Sequence, residues 1–579
     1  MTKYYTDEKN AQIIVALLKQ HGINKVIASP GSANSPLVAS FQADSFFQMY
    51  SCVDERSAAY MACGLAAETG KPVVISCTGA TASRNYLPGL TEAFYRKLPI
   101  LAITSTRAVS KIGHLEDQVM DRTMIQKDVA KISVTLPIIE SDDDIWECEI
   151  KINQAILELR RHGGGPAHIN LPTNYIGTYS TKELPKINII NRITAIDEFP
   201  DIPKGKVAVF VGSHHSFTKE ETNAIDRFCA TNNAVVLCDH TSGYKGKYKV
   251  LFSIALFQSQ LDKSLLMPDT LIHIGEISGF YGFFVGMPKQ VWRVSEDGEV
   301  RDTLHKLRYV FEMQEQDFFD RYTASNDKSL DNYLQQWLST INKLNCKIPE
   351  LPFSNVWIAS KMANRLPEGA TIHFGILNSL RSWNFFELPH SVISASNVGG
   401  FGIDGSLSSL LGASFADRNK LYFGILGDLS FFYDMNAIGN RHCGNNLRIL
   451  LVNNGKGTEF KLYMHKTADF GEDTDEYVAG ARHFGNKSLE LVKHYATDLG
   501  FEYLSASNKE EFEQVYDGFI APQITNKSKL LEVFTTDQDE NMAQVLMKQI
   551  ETNIKGGTKM LAKEILGEKG IRILKNIIK

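Results

Sequence analysis

Short apolar runs recur along this chain and end in small, acidic or amide residues: KVAVFVGS from Lys206, NAVVLCD from Asn233, LYFGILGD from Leu421 and RILLVNN from Arg448. Helical patterns fill most of the intervals between them. A strand with no polar alternation is buried on both faces, and strands separated by helices pair in parallel. The expected fold class is therefore α/β, with three Rossmann-like parallel-sheet domains. With 579 residues the chain exceeds what one core sustains. Charged, Pro-bearing stretches divide it into segments 1–185, 186–345 and 350–545, with a C-terminal helical tail at 546–579. The tail, GGTKMLAKEILGEKGIRILKNIIK, alternates basic and apolar residues. Packing on its own domain or on a second copy is the ordinary use of such a face.

Bulk properties exclude several classes of function. At 43% hydrophobic, 22% charged and a net charge of −5, the chain lacks the concentrated positive charge that nucleic acid requires. No apolar run reaches the ~20 residues of a membrane span, and MTKYYTDEKN is not a secretory leader. A cytoplasmic location is expected, without membrane association. The eight cysteines form no C-x-x-C pair and read as buried free thiols. The histidines, His214-His215 included, show no metal-ligand spacing.

GFGIDG at residues 400–405 spells a dinucleotide fingerprint, between the strand-like HSVISAS and the helix-like SLSSLLGASFA, with Asp428 downstream. A lone G-x-G-x-x-G is weak. Residues 427–457 are more specific: one strand ends in Gly427-Asp428 and the next in Asn453-Asn454-Gly455. On neighbouring parallel strands, Asp428 and Asn454 reach one crevice at the carboxyl ends of the sheet. A carboxylate, an amide oxygen and a nearby backbone carbonyl suit Mg²⁺ or Ca²⁺, with diphosphate oxygens completing the shell. Gly427 lets backbone approach a phosphate closely. A nicotinamide site needs no such Asn pair.

GDLSFFYDMNAI with RILLVNNG resembles the thiamine diphosphate (ThDP) signature of the pyruvate decarboxylase and acetolactate synthase superfamily. Within it, ASPGSANSPLV, VDERSAAYMACGLAAETGKPVVISCTGATASRNYLPGL and NVGGFGIDGSLSSLLGAS are most similar to the MenD (SEPHCHC synthase) family. The resemblance spans nearly the whole chain. It implies a pyrimidine-binding, a middle and a diphosphate-binding domain, and active sites at a subunit interface of a homodimer or homotetramer. It also implies a 2-oxo acid donor, whose acyl-anion unit passes to an acceptor after decarboxylation. Glu55 would hydrogen-bond the aminopyrimidine ring and promote the tautomer that takes the reactive proton. Ile403 would be the wedge that bends the cofactor, flanked by Gly402. Thr78, Gly79, Ser379, Gly427, Asp428, Leu429, Ser430 and Asn454 would bind the cofactor. Asp428, Asn454 and the Lys456 carbonyl would hold Mg²⁺, or Mn²⁺ or Ca²⁺ in its place.

Substrate recognition departs from that pattern. Positions where MenD carries arginines hold Ala33, Val398 and Trp383, and Arg381 is out of register. MenD joins a 2-oxoglutarate-derived unit to isochorismate, both rich in carboxylates, so guanidinium groups matter there. Their loss argues for an acceptor other than isochorismate, such as a small ketone or aldehyde. An authentic SEPHCHC synthase, an acetolactate synthase-like enzyme and a simple 2-oxo acid decarboxylase are the alternatives. Ser32, Arg107, Gln118 and Lys289 match MenD substrate positions, and Trp383 and Glu459 are further candidates. Glu459 and His465 either work as acid and base near the cofactor or belong to a solvent-facing loop; the solvent reading is the plainer one.

Overall fold

The computed structural model describes residues 4–174, 177–280, 282, 284, 287–323 and 332–551, the side chains of 485 and 486 excepted. It contains three parallel sheets of six, seven and six strands. Their strands fall within residues 25–172, 191–312 and 371–534. The tail from 552 lies outside the described residues. Only the helix Asp537–Lys548 represents its start. Among the described residues no helix is long and apolar enough to cross a membrane.

Internal contacts divide the chain into two compact units, Met1–Phe199 with Asp297–Glu312, and Pro200–Glu296 with Met313–Lys579. In the first, the strands run Gln48–Ser51, Lys25–Ala28, Val73–Thr78, Ile100–Thr106, Ala167–Pro172 and Ile132–Thr135 in spatial order. Alternate residues serve opposite layers. Val26, Val74, Leu101 and Ile103 pack with Ile14, Leu17 and Leu18 of helix Lys9–Gln20 and with Ile152 of helix Asp142–Glu158. Ile27, Val73, Ile75 and Ala102 face the other way, toward Ala58, Ala59 and Ala62 of helix Glu55–Thr69 and Leu90 of helix Leu87–Tyr95. The strands Asn191–Ile193 and Leu307–Glu312 also pair within this unit.

The second unit carries Lys249–Leu251, Val235–Cys238, Val207–Val211, Thr270–Ile274 and Gln290–Ser295, neighbours in that order. Its other sheet runs Ile393–Ser396, Thr371–Phe374, Tyr422–Gly427, Leu447–Asn453, Lys529–Phe534 and Glu502–Ala506. Numbered by sequence within each sheet, both six-stranded sheets have the order 2-1-3-4-6-5. Each therefore reverses direction between its first and third strands, and ligands of open α/β sheets bind in the crevice outside the carboxyl ends at such a reversal. In the first unit that crevice lies beyond Ala28 and Thr78; in the second, beyond Phe374 and Gly427.

The helix that starts at Glu55 is held close to its neighbour by Gly89, where an added Cβ would sit 2.4 Å from the Ala59 Cβ. Gly89→Val should cost about 1–3 kcal/mol through overpacking, read as a lower denaturant midpoint. An unchanged midpoint would contradict this packing.

Candidate active site

In the second unit the strand Tyr422–Gly427 turns directly into helix Asp428–Asp434, and Gly427 is in register with Val452. Asp428 is 4% exposed. Burial pushes its carboxyl up to about 7, with buried Glu532 adding to the effect. Backbone N–H groups of Leu429 and Gly455 oppose it by donating to the carboxylate. The Gly455 contact joins the two strand tips. Gly455 itself turns with φ +77°, and its N–H also reaches the Asn453 Oδ1 at 3.2 Å. Asn453 donates to Glu532 at 2.7 Å, and Tyr503 donates to the other Glu532 oxygen at 2.8 Å. Asn454 differs: its Oδ1 is buried and has no hydrogen-bond partner.

A buried carboxyl that resists ionisation beside an orphaned amide oxygen is a donor set that a divalent cation satisfies. Space exists for its remaining ligands, because a Cβ built on Gly427 meets no described atom within 4 Å. Among the described residues no three His, Cys, Asp or Glu side chains gather as a metal cluster. A cation here would draw most of its shell from other oxygens. Ser396, Ser406 and Thr458 also carry buried hydroxyls without partners. They sit at the end of a strand, the start of a helix and the loop after Asn454.

The glycine loop joins this site through Ser430, whose hydroxyl donates to the Ile403 carbonyl at 2.7 Å. Ser408 donates through its N–H and its hydroxyl to Asp434, both at 2.6 Å, locking the two following helices together. Ile403 and Gly402 are half-buried. The dinucleotide reading fails on topology. The strand before the motif, Ile393–Ser396, is a sheet edge, and Thr371–Phe374 separates it from the strand that ends at Asp428. A nicotinamide site needs those two strands adjacent.

Lys456 is tied down by its side chain. Its Nζ pairs with Asp475 at 2.7 Å and Asp537 at 3.3 Å, and Lys461 joins Asp475 at 2.8 Å. Its carbonyl accepts the Thr458 N–H at 2.9 Å. Leu429, next to Asp428 in sequence, is half-buried, and Ser379 is buried, accepting a long 3.4 Å bond from Asn355. Glu459 does not face solvent. It receives both arms of the Arg381 guanidinium at 2.7 and 2.9 Å, with the two side chains only 14% and 17% exposed. The histidine of the same loop, His465, shares 2.7 Å with the Thr467 hydroxyl. Trp383, a candidate substrate contact, is fully buried, and its indole donates to Asn355 at 3.1 Å. Val398 is likewise 2% exposed. Lys289 precedes the strand Gln290–Ser295 and pairs with Asp269 at 2.7 Å, at the amino ends of the strands.

In the first unit Glu55 opens its helix behind the cap Asp54, which accepts the Arg56 and Ser57 N–H groups. Glu55 is half-buried and accepts a 3.4 Å bond from Asn85. The Thr78 hydroxyl is buried without a partner, and a Cβ on Gly31 would lie 2.1 Å from it. The Gly79 N–H donates to the Ser105 carbonyl at 2.6 Å. Ser32 and Gln118 are exposed, Ala33 is buried, and Arg107 pairs with Glu116 at 2.9 Å. Arg122, whose guanidinium lies on Gly79, went unnoticed in the sequence. Nothing in its neighbours VMDRTM marks it as buried.

Comparison with known proteins adds a second line. The family signature "Thiamine pyrophosphate enzyme, N-terminal TPP binding domain" matches residues 8–130. A Bacteroides thetaiotaomicron 2-succinyl-5-enolpyruvyl-6-hydroxy-3-cyclohexene-1-carboxylate synthase is 31% identical over 554 residues, 92% of this chain and 96% of the relative. A Bacteroides fragilis protein of the same name is 30% identical over 550 residues, 92% of this chain and 97% of its own. One from Flavobacterium johnsoniae is 27% identical over 567 residues, 93% and 98%.

The raised Asp428 carboxyl binds its proton more tightly in the folded than in the unfolded chain. Its stabilising contribution is complete below about 3.8 and lost as pH rises through about 7. Without divalent cation, Asp428→Asn should therefore be more stable than the parent at pH 8 by about 2–4 kcal/mol, with the gap closing toward pH 4. Denaturant unfolding across that range tests this; a variant less stable at pH 8 would contradict it.

Proposed function

We propose a reaction course for a chain that belongs to the 2-succinyl-5-enolpyruvyl-6-hydroxy-3-cyclohexene-1-carboxylate synthase family. It is a thiamine diphosphate-dependent decarboxylating carboligase. The observation that carries the finer reading is the pairing of buried Asp428, at a sheet reversal, with the orphaned Asn454 oxygen at the neighbouring strand's tip.

Asp428 and Asn454 would hold Mg²⁺, or Mn²⁺ or Ca²⁺, against the cofactor's diphosphate. When bound, ThDP supplies an electron sink for the carbanion left by decarboxylation. The chain's own groups do the rest. The Lys456 and Lys461 ion pairs hold the loop after Asn454 rigid, so the amide oxygen need not be ordered on binding. Ser430 fixes the Ile403 backbone, and that side chain would serve as the wedge that bends the cofactor. Glu55 would exchange a proton with the aminopyrimidine ring nitrogen. Thr78, Gly79, Ser379, Gly402 and Leu429 would complete the cofactor's surroundings.

The domains proposed are 1–185 for the pyrimidine, 186–345 as the middle domain and 350–545 for the diphosphate. The enzyme would be a cytoplasmic homo-oligomer with its sites shared between copies. Val53, Tyr60 and Met61, 76%, 47% and 47% exposed around Glu55, give apolar surface for such an interface. The donor would be a 2-oxo acid, with Ser32, Arg107 and Gln118 available for substrate contacts. The acceptor would be other than isochorismate, because Ala33, Val398 and Trp383 bring no guanidinium to it. The names of the relatives favour the second reading, an authentic SEPHCHC synthase.

Release of CO₂ from a panel of 2-oxo acids, begun with pyruvate and 2-oxoglutarate, tests the donor. Product from isochorismate and 2-oxoglutarate at ordinary rates would establish the second reading and refute the first. Glu55→Gln should lower turnover about 10²–10⁴-fold while ThDP still protects against thermal unfolding. Unchanged turnover would end the assignment of Glu55.

A further inference from the structure

Arg122 is 6% exposed. Burial lowers its pKa to about 10, so it remains a cation at neutral pH. Buried charges are normally paired or fully hydrogen-bonded, and other buried or half-buried arginines here obey that rule. Arg161 reaches Glu158 at 3.0 Å and Glu299 at 2.8 Å. Among the described residues Arg448 has no ion pair, but it donates to three carbonyls and the Thr525 hydroxyl. Arg122 makes two long bonds to neutral groups, the Asn170 Oδ1 at 3.3 Å and the Ser83 hydroxyl at 3.5 Å. Among the described residues no carboxylate bonds to it.

A cavity of about 20 Å³ opens beside this guanidinium, lined by Ser83, Arg84, Tyr86, Thr104, Arg122 and His168 among others. That is room for one water-sized occupant. The lining carries no negative charge. Burial drives the His168 pKa to about 3, and its ring nitrogens are engaged by Thr104 at 2.8 Å and Ser133 at 2.7 Å. Burial likewise pushes the Cys77 thiol up to about 12 and raises the Tyr86 phenol, so both stay neutral. The nearby acids are Asp121, whose Oδ1 accepts the Thr123 N–H and hydroxyl at 3.0 and 2.6 Å and whose charge acts on Arg122 without a hydrogen bond, and half-buried Glu55.

We propose that this cavity is a binding site for a single halide ion, held by Arg122 with the buried Tyr86 hydroxyl beside it. The ion would balance a positive charge fixed directly against Gly79, where an added Cβ would meet the Arg122 Nη2 at 2.2 Å. The site thus sets the charge beneath the Thr78–Gly79 turn. It does not rest on the cofactor reading, and it is tested without cofactor.

The test is thermal unfolding of the full chain at constant ionic strength in sodium chloride, bromide, gluconate or pyruvate, with anomalous diffraction from crystals soaked in bromide. Chloride and bromide should raise the midpoint saturably, by about 2 °C or more, and gluconate should not. Arg122→Gln, or Ala102→Val to fill the cavity, should abolish the response. Bromide density should lie in the cavity beside Arg122. Equal midpoints in chloride and gluconate, a halide response that survives in either variant, or a cavity without bromide would each overturn the proposal. A response to pyruvate alone would also overturn it, as a carboxylate site. The parent's bromide map decides the matter if neither variant folds.

Discussion

Asp428 stands buried at the tip of a central strand, and a carboxyl there is costly to ionise unless a cation shares its charge. Much of the second unit's upper face is organised around that cost. Three backbone N–H groups meet the carboxylate, and one of them, Gly455, brings the neighbouring strand's tip against it. Asn453 turns away to Glu532, which frees Asn454 to present an oxygen with no protein partner. The lysine–aspartate network then fixes the loop that follows. The free chain thus stores an unfavourable arrangement that a divalent ion and a diphosphate would relieve.

The two six-stranded sheets share one strand order; Thr78, without a partner among the described residues, ends a strand at the reversal of the first, and Asn454 lies one strand beyond the reversal of the second. The duplication explains why the chain places glycines at both crevices. Gly31 is needed because any side chain would strike Thr78, whereas Gly427 faces open space. One glycine serves close packing and the other serves access.

Much of this was legible in the sequence. Central strands such as Tyr422–Gly427 and Leu447–Asn453 are buried almost end to end and read as apolar runs, with Arg448 the one charge in the second. The paired tips Gly427-Asp428 and Asn453-Asn454 stood out because polar residues interrupt those runs where strands stop. Two of the edge strands did not stand out. Ile132–Thr135 and Glu502–Ala506 are short and only half-buried, so no apolar run marks them. Side-chain pairing was least visible. Arg381 and Glu459 lie 78 positions apart, and only the fold turns two ordinary surface residue types into a half-buried bidentate pair. Trp383 looked like a pocket residue by position, yet the indole's bond to Asn355 holds it in the core.

The substrate side shows the same division between what position suggests and what packing allows. Ala33, Trp383 and Val398 are all buried, so the places where relatives of the resembled family carry arginines are here filled by core groups. The remaining guanidinium groups, Arg107 and Arg381, are held by acids of this chain.

The central claim is that Asp428 and Asn454 grip a divalent cation that in turn holds the cofactor's diphosphate. Calorimetric titration of ThDP into the full chain, first in EDTA and then with excess Mg²⁺, tests it most directly. The account predicts heat of binding only once Mg²⁺ is present. Equally tight binding in EDTA would contradict it.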